Sequence, residues 1–303
     1  MRIRPAVDGE DLELVQEANS YWIGSTVYWQ MMDATRERHP APSWMAETSD
    51  GEPLAHATLI CESVKHADQA MGFLWVVPVS RRRGTGTALH ELILRTASDH
   101  GFRRVLMAAQ NAEPGSIDAA RAWGGEEDGY HHEQRLDLTA LTDPQISGWC
   151  ERATADGVSL HQVDDPEELA SLYPFCRDRF DEAPDVGDES EPLSEAMFLV
   201  IAKPGRTVVA RRGSEVVGLT CVSPRRGSVP SANVEFTGVH PDHRGRGIAL
   251  ALKAEQARRL RDNGIAQLFT QNLDGNGPIL AVNTRMGFVR EPGRTDFSFS
   301  VPD

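Results

Sequence analysis

The stretch Val239-His240-Pro241-Asp242-His243-Arg244-Gly245-Arg246-Gly247-Ile248-Ala249-Leu250-Ala251-Leu252 has an earlier counterpart in the same chain. A shift of 163 residues lays it over Val76-Val77-Pro78-Val79-Ser80-Arg81-Arg82-Arg83-Gly84-Thr85-Gly86-Thr87-Ala88-Leu89. Val76, Pro78, Arg81, Arg83, Gly84, Ala88 and Leu89 recur as Val239, Pro241, Arg244, Arg246, Gly247, Ala251 and Leu252. The register then holds without a gap: Arg95 meets Arg258, Asp99 meets Asp262, Gly101 meets Gly264 and Gly124 meets Gly287. These eleven identities in forty-nine positions concentrate on Gly, Pro and Arg, whereas chance would favour the common Ala and Leu. The period is far too long for a solenoid. A whole domain has been duplicated.

Working outward, each copy has the same layout. In the second, strands are predicted at Thr207–Ala210, Glu215–Ser223 and Val234–Val239. A helix follows from Gly247 to Asn263, with Leu250, Ala254, Ala257 and Leu260 at helical spacing and Gly264 as its stop. A strand at Gln267–Gln271, a short helix before Gly287 and a closing strand at Phe297–Val301 complete it. The first copy predicts a strand before Pro78, a helix over Gly84–His100 with Leu89, Leu92, Ile93 and Ala97 inward, a strand at Arg104–Ala108 and a closing strand at His132–Leu138. Between the copies, Asp143-Pro144 opens a helix that ends near Asp156-Gly157, and a strand follows at Val158–Val163. The acidic stretch Asp181–Ser194 reads as a mobile loop. Residues 1–140 and 158–303 are thus two domains joined by a linker helix over 141–157. The class is α/β (α+β), a mixed sheet flanked by helices.

A length of 303 residues agrees with two domains. The formal charge of -14 disfavours a nucleic-acid partner, whose phosphates need net positive charge. Neither a secretory leader nor a membrane-spanning run is predicted. Cys61, Cys150, Cys176 and Cys221 are isolated, as in a reducing cytoplasm, and no metal-ligand spacing is present. The adjacent His131 and His132 would face opposite sides of a strand, which argues against a joint metal site.

The loops Arg81-Arg82-Arg83-Gly84-Thr85-Gly86 and Arg244-Gly245-Arg246-Gly247-Ile248-Ala249 each follow a strand and open a long helix. A helix N-terminus offers unpaired N–H groups and the positive end of its dipole. Glycine allows close backbone approach, and arginine adds charge. The combination is a cradle for a pyrophosphate. Neither a Walker loop nor a dinucleotide fingerprint is present.

The strand, loop and helix resemble motif A of the GCN5-related N-acetyltransferase (GNAT) superfamily, and Asn276, Asn283, Met286, Gly287 and Phe288 resemble its motif B. Both halves carry the likeness, so the chain resembles a tandem GNAT protein. The resemblance implies acetyl-CoA as cosubstrate without a metal, and assigns its binding to Thr237, Gly238, Val239, Arg244, Gly245, Arg246, Gly247, Ile248, Ala249 and Asn276. In the first copy it assigns Arg81, Arg83, Gly84 and Gly86.

Acetyl transfer to an amine needs a base, a donor for the oxyanion and a thiolate that can leave. The resemblance places the base on the strand before the loop, where Glu235 stands. The more usual acid position in the superfamily, two residues earlier, is Asn233. The first copy has Ala70 and Gly72 at the matching places. Asn283 holds the position where relatives often place a tyrosine acid. It can donate a hydrogen bond but no proton at neutral pH, and its first-copy counterpart is Ala120. The expectation is therefore a catalytic second half and a degenerate first half. The function expected is acetyl transfer to a primary amine of a small molecule, in a monomer or homodimer. A protein or peptide amine, or a non-catalytic acyl-CoA sensor, is the alternative. Asp178, Asp181, Glu182 and Asp185 are candidates for attracting a cationic acceptor. Trp22, Tyr28, Trp29, Met31 and Met32 read as core or as the wall of an acceptor pocket. Arg211-Arg212 and Arg225-Arg226 are expected at strand ends or turns.

Overall fold

The structure is a computed structural model that describes residues 1–6, 39–61, 66–113, 115–184, 192–225 and 228–302. The aromatic and Met-rich stretch from Trp22 to Met32, together with Asp185 and Arg226, lies outside the described residues. In chain order the strands are β1 (Arg2–Pro5), β2 (Ser43–Glu47), β3 (Pro53–Ile60), β4 (Gln69–Val76), β5 (Arg104–Gln110), β6 (Glu126–Asp137), β7 (Val158–Val163), β8 (Thr207–Arg212), β9 (Glu215–Arg225), β10 (Ser231–Val239), β11 (Gln267–Leu273) and β12 (Val289–Ser300). The helices are α1 (Thr85–Asp99), α2 (Ser116–Ala122), α3 (Asp143–Ala155), α4 (Pro166–Ser171), α5 (Tyr173–Phe180), α6 (Glu195–Ile201), α7 (Ile248–Asp262) and α8 (Gly277–Met286). From β4 to β6 the elements recur as β10 to β12 at the same 163-residue shift.

The helical stripes do what their spacing requires. α1 buries Leu89, Ile93 and Ala97 against β3, β4 and β5, and α7 buries Leu250, Ala254 and Ala257. Each links two parallel strands, β4 to β5 and β10 to β11, a connection that needs a helix-length crossover. The remaining pairings are antiparallel. One twelve-stranded mixed sheet results, in the order β1-β2-β3-β4-β5-β12-β6-β11-β10-β9-β8-β7.

That order contains a correction. The sequence reading lets each closing strand complete its own copy, but the two closing strands trade places. β12 pairs with β5 of the first copy, Ser300 opposite Arg104, and β6 pairs with β11 of the second, Asp137 opposite Gln267. β6 and β12 then pair with each other, His131 opposite Arg294. All three registers map onto themselves under the 163-residue shift, so a local two-fold axis runs between His131 and Arg294. The chain leaving β6 explains the choice. The Leu138 N–H donates to the Ala266 carbonyl (2.9 Å), and a capping box between Thr142 and Gln145 starts α3, which packs on α7. The end of β6 is thereby held in the second half. In return, Phe297 and Phe299 of β12 are buried in the first half's core.

The axis is tightly built. Gly293, at a register irregularity in β12, lies so close to β6 that an added Cβ would stand 2.0 Å from the His131 carbonyl oxygen. His131 and His132 diverge as the strand alternation requires, His131 Nε2 meeting Asp296 at 3.0 Å and His132 Nε2 meeting Asp274 at 2.5 Å.

Candidate active site

A parallel strand pair that starts together and then separates creates a cleft. β10 and β11 pair from Ser231–Gln267 to Val234–Thr270 and then diverge. Beyond that point the β11-facing edge of β10, through Val239, is open to an extended ligand. A cleft of about 710 Å3 occupies the gap. Val234, Glu235, Phe236, Thr237, Gly238 and Val239 form one wall; Thr270, Gln271 and Asn272 form the other. The first half repeats the arrangement at smaller scale. β4 and β5 pair only from Gln69–Arg104 to Met71–Leu106, and a cleft of about 380 Å3 follows.

The loop closes one end of each cleft. Gly247 caps α7 at φ +83°, and Gly84 caps α1 at φ +84°, a left-handed conformation that a side chain disfavours. Among the described residues no side chain caps either helix, so the N–H groups of the first turn are of the kind that accommodates an anion. Arg244 and Arg81 are anchored alike, through Nε to the Val239 carbonyl (3.2 Å) and the Val76 carbonyl (3.1 Å). Their guanidinium ends pair with carboxylates, Arg244 with Glu182 and Arg81 with Glu113 at 2.5 Å. Arg246 pairs with Asp156 at 3.2 Å. Thr237, Gly238, Val239, Arg244, Gly245, Gly247, Ile248, Ala249 and Asn276 all line the second cleft, whereas Arg246 does not. Arg81, Gly84 and Gly86 line the first, whereas Arg83 does not.

Glu182 thus belongs with the loop that opens α7, held between Arg179 (2.8 Å) and Arg244. Asp178 pairs with Arg177 at 2.7 Å. Arg211 and Arg212 end β8, as expected, and Arg225 ends β9. The Arg225 guanidinium lies 3.8 Å from the Phe269 ring centre and bonds Glu133 at 2.6 Å.

Glu235 also lines the second cleft. It is the extra residue of a bulge, because the β9–β10 register slips between Val234 and Phe236. Bulges of this kind re-aim side chains, and the strict alternation that would relate residues 233 and 235 is interrupted. Ser223 donates its hydroxyl to the Glu235 carboxylate. Burial raises the Glu235 carboxyl above the usual range, against the opposing effect of that hydrogen bond. Asn233 accepts from Arg225 at 3.3 Å. In the first half β3 and β4 pair without a slip across Gly72, the residue matching Glu235.

Asn283 is fully buried and stands beneath the cleft wall. Its Nδ2 donates to Gln134 Oε1 and Asn272 Oδ1, both at 2.8 Å, and its Oδ1 accepts from Lys253 Nζ at 2.5 Å. Lys253 is 1% exposed and lines the cleft, and its Nζ lies 5.0 Å from the Phe288 ring centre. Burial without an acidic partner pushes its ammonium down to about 7. Sequence reasoning missed Lys253, Asn272 and Gln134. A signal was present for the first: Lys253 interrupts the apolar face formed by Leu250, Ala254 and Ala257. None was present for Gln134, which arrives on the exchanged strand.

Among the described residues no cluster of three or more His, Cys, Asp or Glu could hold a metal ion. No described helix is long and apolar enough to cross a membrane.

Comparison with known proteins agrees with this geometry. A sequence profile of the acetyltransferase (GNAT) family matches residues 12–124 and again 168–288. A mycothiol acetyltransferase of Saccharomonospora viridis is 28% identical over 244 residues, covering 75% of this chain and 72% of the relative. Among solved structures, a tandem GNAT protein from the clavulanic acid biosynthesis pathway superposes with a TM-score of 0.73 at 19% identity, over 100% of this chain and 99% of that one. A GCN5-related N-acetyltransferase from Sphaerobacter thermophilus gives a TM-score of 0.69 at 15% identity, over 100% and 96% of the two chains. At those identities the structural likeness shows the fold, and the two profile matches show the family. The chain is a member of the acetyltransferase (GNAT) family, an acyltransferase that carries the fold twice in tandem.

Proposed function

We propose that the chain moves an acetyl group from acetyl-CoA to a primary amine of a small molecule, by direct attack in a ternary complex at the second cleft. The units are residues 1–140 and 158–303 joined through 141–157, each lending its last strand to the other. The observation that carries the reading is Glu235: a half-buried carboxylate, raised in basicity, on the wall of a cleft whose other end suits an anion. The first cleft has Gly72 in its place.

The residues divide the work by position. The first-turn N–H groups of α7 and the Arg244 guanidinium suit the pyrophosphate, which would displace Glu182 from Arg244. The open edge of β10 from Thr237 to Val239 suits the amide groups of the pantetheine arm, and Asn276 borders its path. Glu235 accepts the proton that the amine loses, directly or through one water. Its raised basicity brings it nearer to the working pH than an exposed carboxylate would be.

The test is release of CoA thiol from acetyl-CoA with a panel of small amines, peptides and no acceptor, for the wild type, Arg244→Ala, Arg81→Ala and Glu235→Gln. Loss concentrated in Arg244→Ala and Glu235→Gln with a small amine supports the reading. A larger loss from Arg81→Ala overturns the choice of cleft. Tight acetyl-CoA binding without release to any amine favours the sensor.

A further inference from the structure

The two clefts have the same backbone and different chemistry. Lys253, Asn272 and Asn283 occupy the positions that His90, Ala109 and Ala120 hold in the first half. Gln134, delivered by the exchanged β6, corresponds to Phe297, delivered to the first cleft by β12. His90 is packed between Trp123 (ring centres 4.6 Å apart) and Phe299 (4.7 Å), its Nε2 has no hydrogen-bond partner among the described residues, and burial pushes it down to about 4. It is a neutral ring in an apolar wall. The fold is therefore built once without the polar cluster, so packing does not demand that cluster in the second half.

Placing a lysine in that interior has a cost that only a function offsets. The amide cluster is arranged around it: Asn283 spends its Nδ2 on Gln134 and Asn272, which fixes its Oδ1 towards Lys253. An ammonium has three donors, and Asn283 is the one hydrogen-bond acceptor Lys253 has among the described residues. Besides its arginines, the cleft wall carries four titratable side chains among the described residues, Glu182, Glu235, His243 and Lys253. Glu182 is held by Arg179 and Arg244, and His243 lies in the turn before the loop, 3.5 Å from Glu215. Of other charged groups on the packed elements, α8 contributes Arg285 to the cleft, and β6 carries Glu133, held by Arg225. Lys253 and Glu235 remain, one cation and one carboxylate in a single cleft.

We propose that Lys253 is the proton donor to the departing CoA sulfur, held in place by Asn283, Asn272 and Gln134. The inference rests on the second cleft being the catalytic one. As the amine nitrogen bonds to the carbonyl carbon, the C–S bond breaks and its electron pair stays on sulfur. Glu235 takes the proton the nitrogen loses, and Lys253 gives one proton to sulfur, forming the CoA thiol. Solvent then removes the proton from Glu235 and returns one to Lys253, so that protons balance over the cycle. The charge developing on sulfur raises the proton affinity of the neighbouring amine, and the ammonium in turn steadies the thiolate until the proton crosses.

The test reads the sulfur itself. CoA and desulfo-CoA are bound to the full chain, and the ultraviolet absorbance difference between the two complexes is followed against pH for the wild type, Lys253→Met and Lys253→Gln. A neighbouring ammonium lowers the pH at which the bound thiolate appears, by at least about one unit below free CoA. Both variants return it to the free value or above. The first cleft, which has no lysine among its described residues, contributes equally to all three proteins and cancels in the comparison. A titration that is the same in the wild type and in both variants overturns the role of Lys253. Binding of CoA that is unchanged in Arg244→Ala instead removes the second cleft as the CoA site, and the proposal with it. Melting temperatures of the variants confirm that folded proteins are being compared.

Discussion

Replacing Lys253 by methionine should stabilise the fold at neutral pH, although it removes the only buried lysine among the described residues. An unfolded lysine titrates at 10.5, and burial brings Lys253 to about 7 in the folded chain. At about 1.4 kcal/mol per pH unit, that difference makes the folded state poorer by roughly 4 kcal/mol at pH 7 than one with an always-neutral side chain there. Methionine fits the same unbranched space but leaves the Asn283 Oδ1 without its donor, which costs about 1–3 kcal/mol. The net gain at pH 7 is about 1–3 kcal/mol, or roughly 3–8 °C in Tm for a chain of this size. The sign depends on pH. Between about 7 and 10.5 the unfolded wild type binds more protons than the folded one, so wild-type stability gains with rising pH from this group. The methionine variant lacks that slope, and Glu235 titrates in both proteins. Its advantage is therefore largest at and below pH 7, shrinks by about 1.4 kcal/mol per unit above it, and has gone by about pH 9. Thermal melts of both proteins at pH 6, 7, 8 and 9 test this. A variant that melts below the wild type by the same margin at every pH refutes the reasoning.

Other expectations concern the clefts and the two-fold axis. Glu235→Gln should lower kcat by about 10²–10⁴ while leaving acetyl-CoA affinity within threefold, as measured by CoA release and calorimetry, since it removes a base and no phosphate contact (roughly the range for general bases). Arg244→Ala should weaken acetyl-CoA binding by about 10–100-fold, the worth of a charge-assisted hydrogen bond, whereas Glu182→Gln should tighten it by about two- to fivefold by freeing Arg244 from a half-exposed pair. Gly293→Ala should lower Tm sharply in a melting scan, because the new Cβ meets the His131 carbonyl oxygen at 2.0 Å and backbone must move to admit it. Residues 1–140 and 158–303 expressed singly should be poorly folded by circular dichroism and should recover structure when co-expressed, since Phe297 and Phe299 belong to one core and Leu136 and Leu138 to the other.

What the sequence disclosed was local in its physics. Gly84 and Gly247 stand where a left-handed residue must precede a helix, and the loop, the helix after it and the cleft end follow from that one demand. The registers of the repeat were legible because whole elements recur at one spacing. The exchange of β6 and β12 was not. Both strands are antiparallel to either candidate neighbour, so nothing in their alternation distinguishes the partners. The decision lies in the capping and packing of α3 against α7. The bulge at Glu235 is likewise set by three-dimensional pairing, and it gives that carboxylate a setting no period-two reading predicts. Lys253 was legible as a charge on an apolar helix face; its amide partners were not, because Gln134 lies 149 residues from Asn283 in sequence.

The exchanged strands also set a timetable for synthesis. β5 leaves the ribosome about 190 residues before the strand that covers its edge. At the usual 5–20 residues per second, that is on the order of ten to forty seconds. Throughout this wait the inward residues Val105, Met107 and Ala109 lack Phe297 and Phe299, and a free strand edge of the kind that recruits other chains stays exposed. The first half is made earlier yet completed later, since the strand that closes its sheet edge, β12 (Val289–Ser300), is translated after the other strands of the second half. A premature stop or a slow codon cluster ahead of β12 therefore endangers a half that was translated long before it.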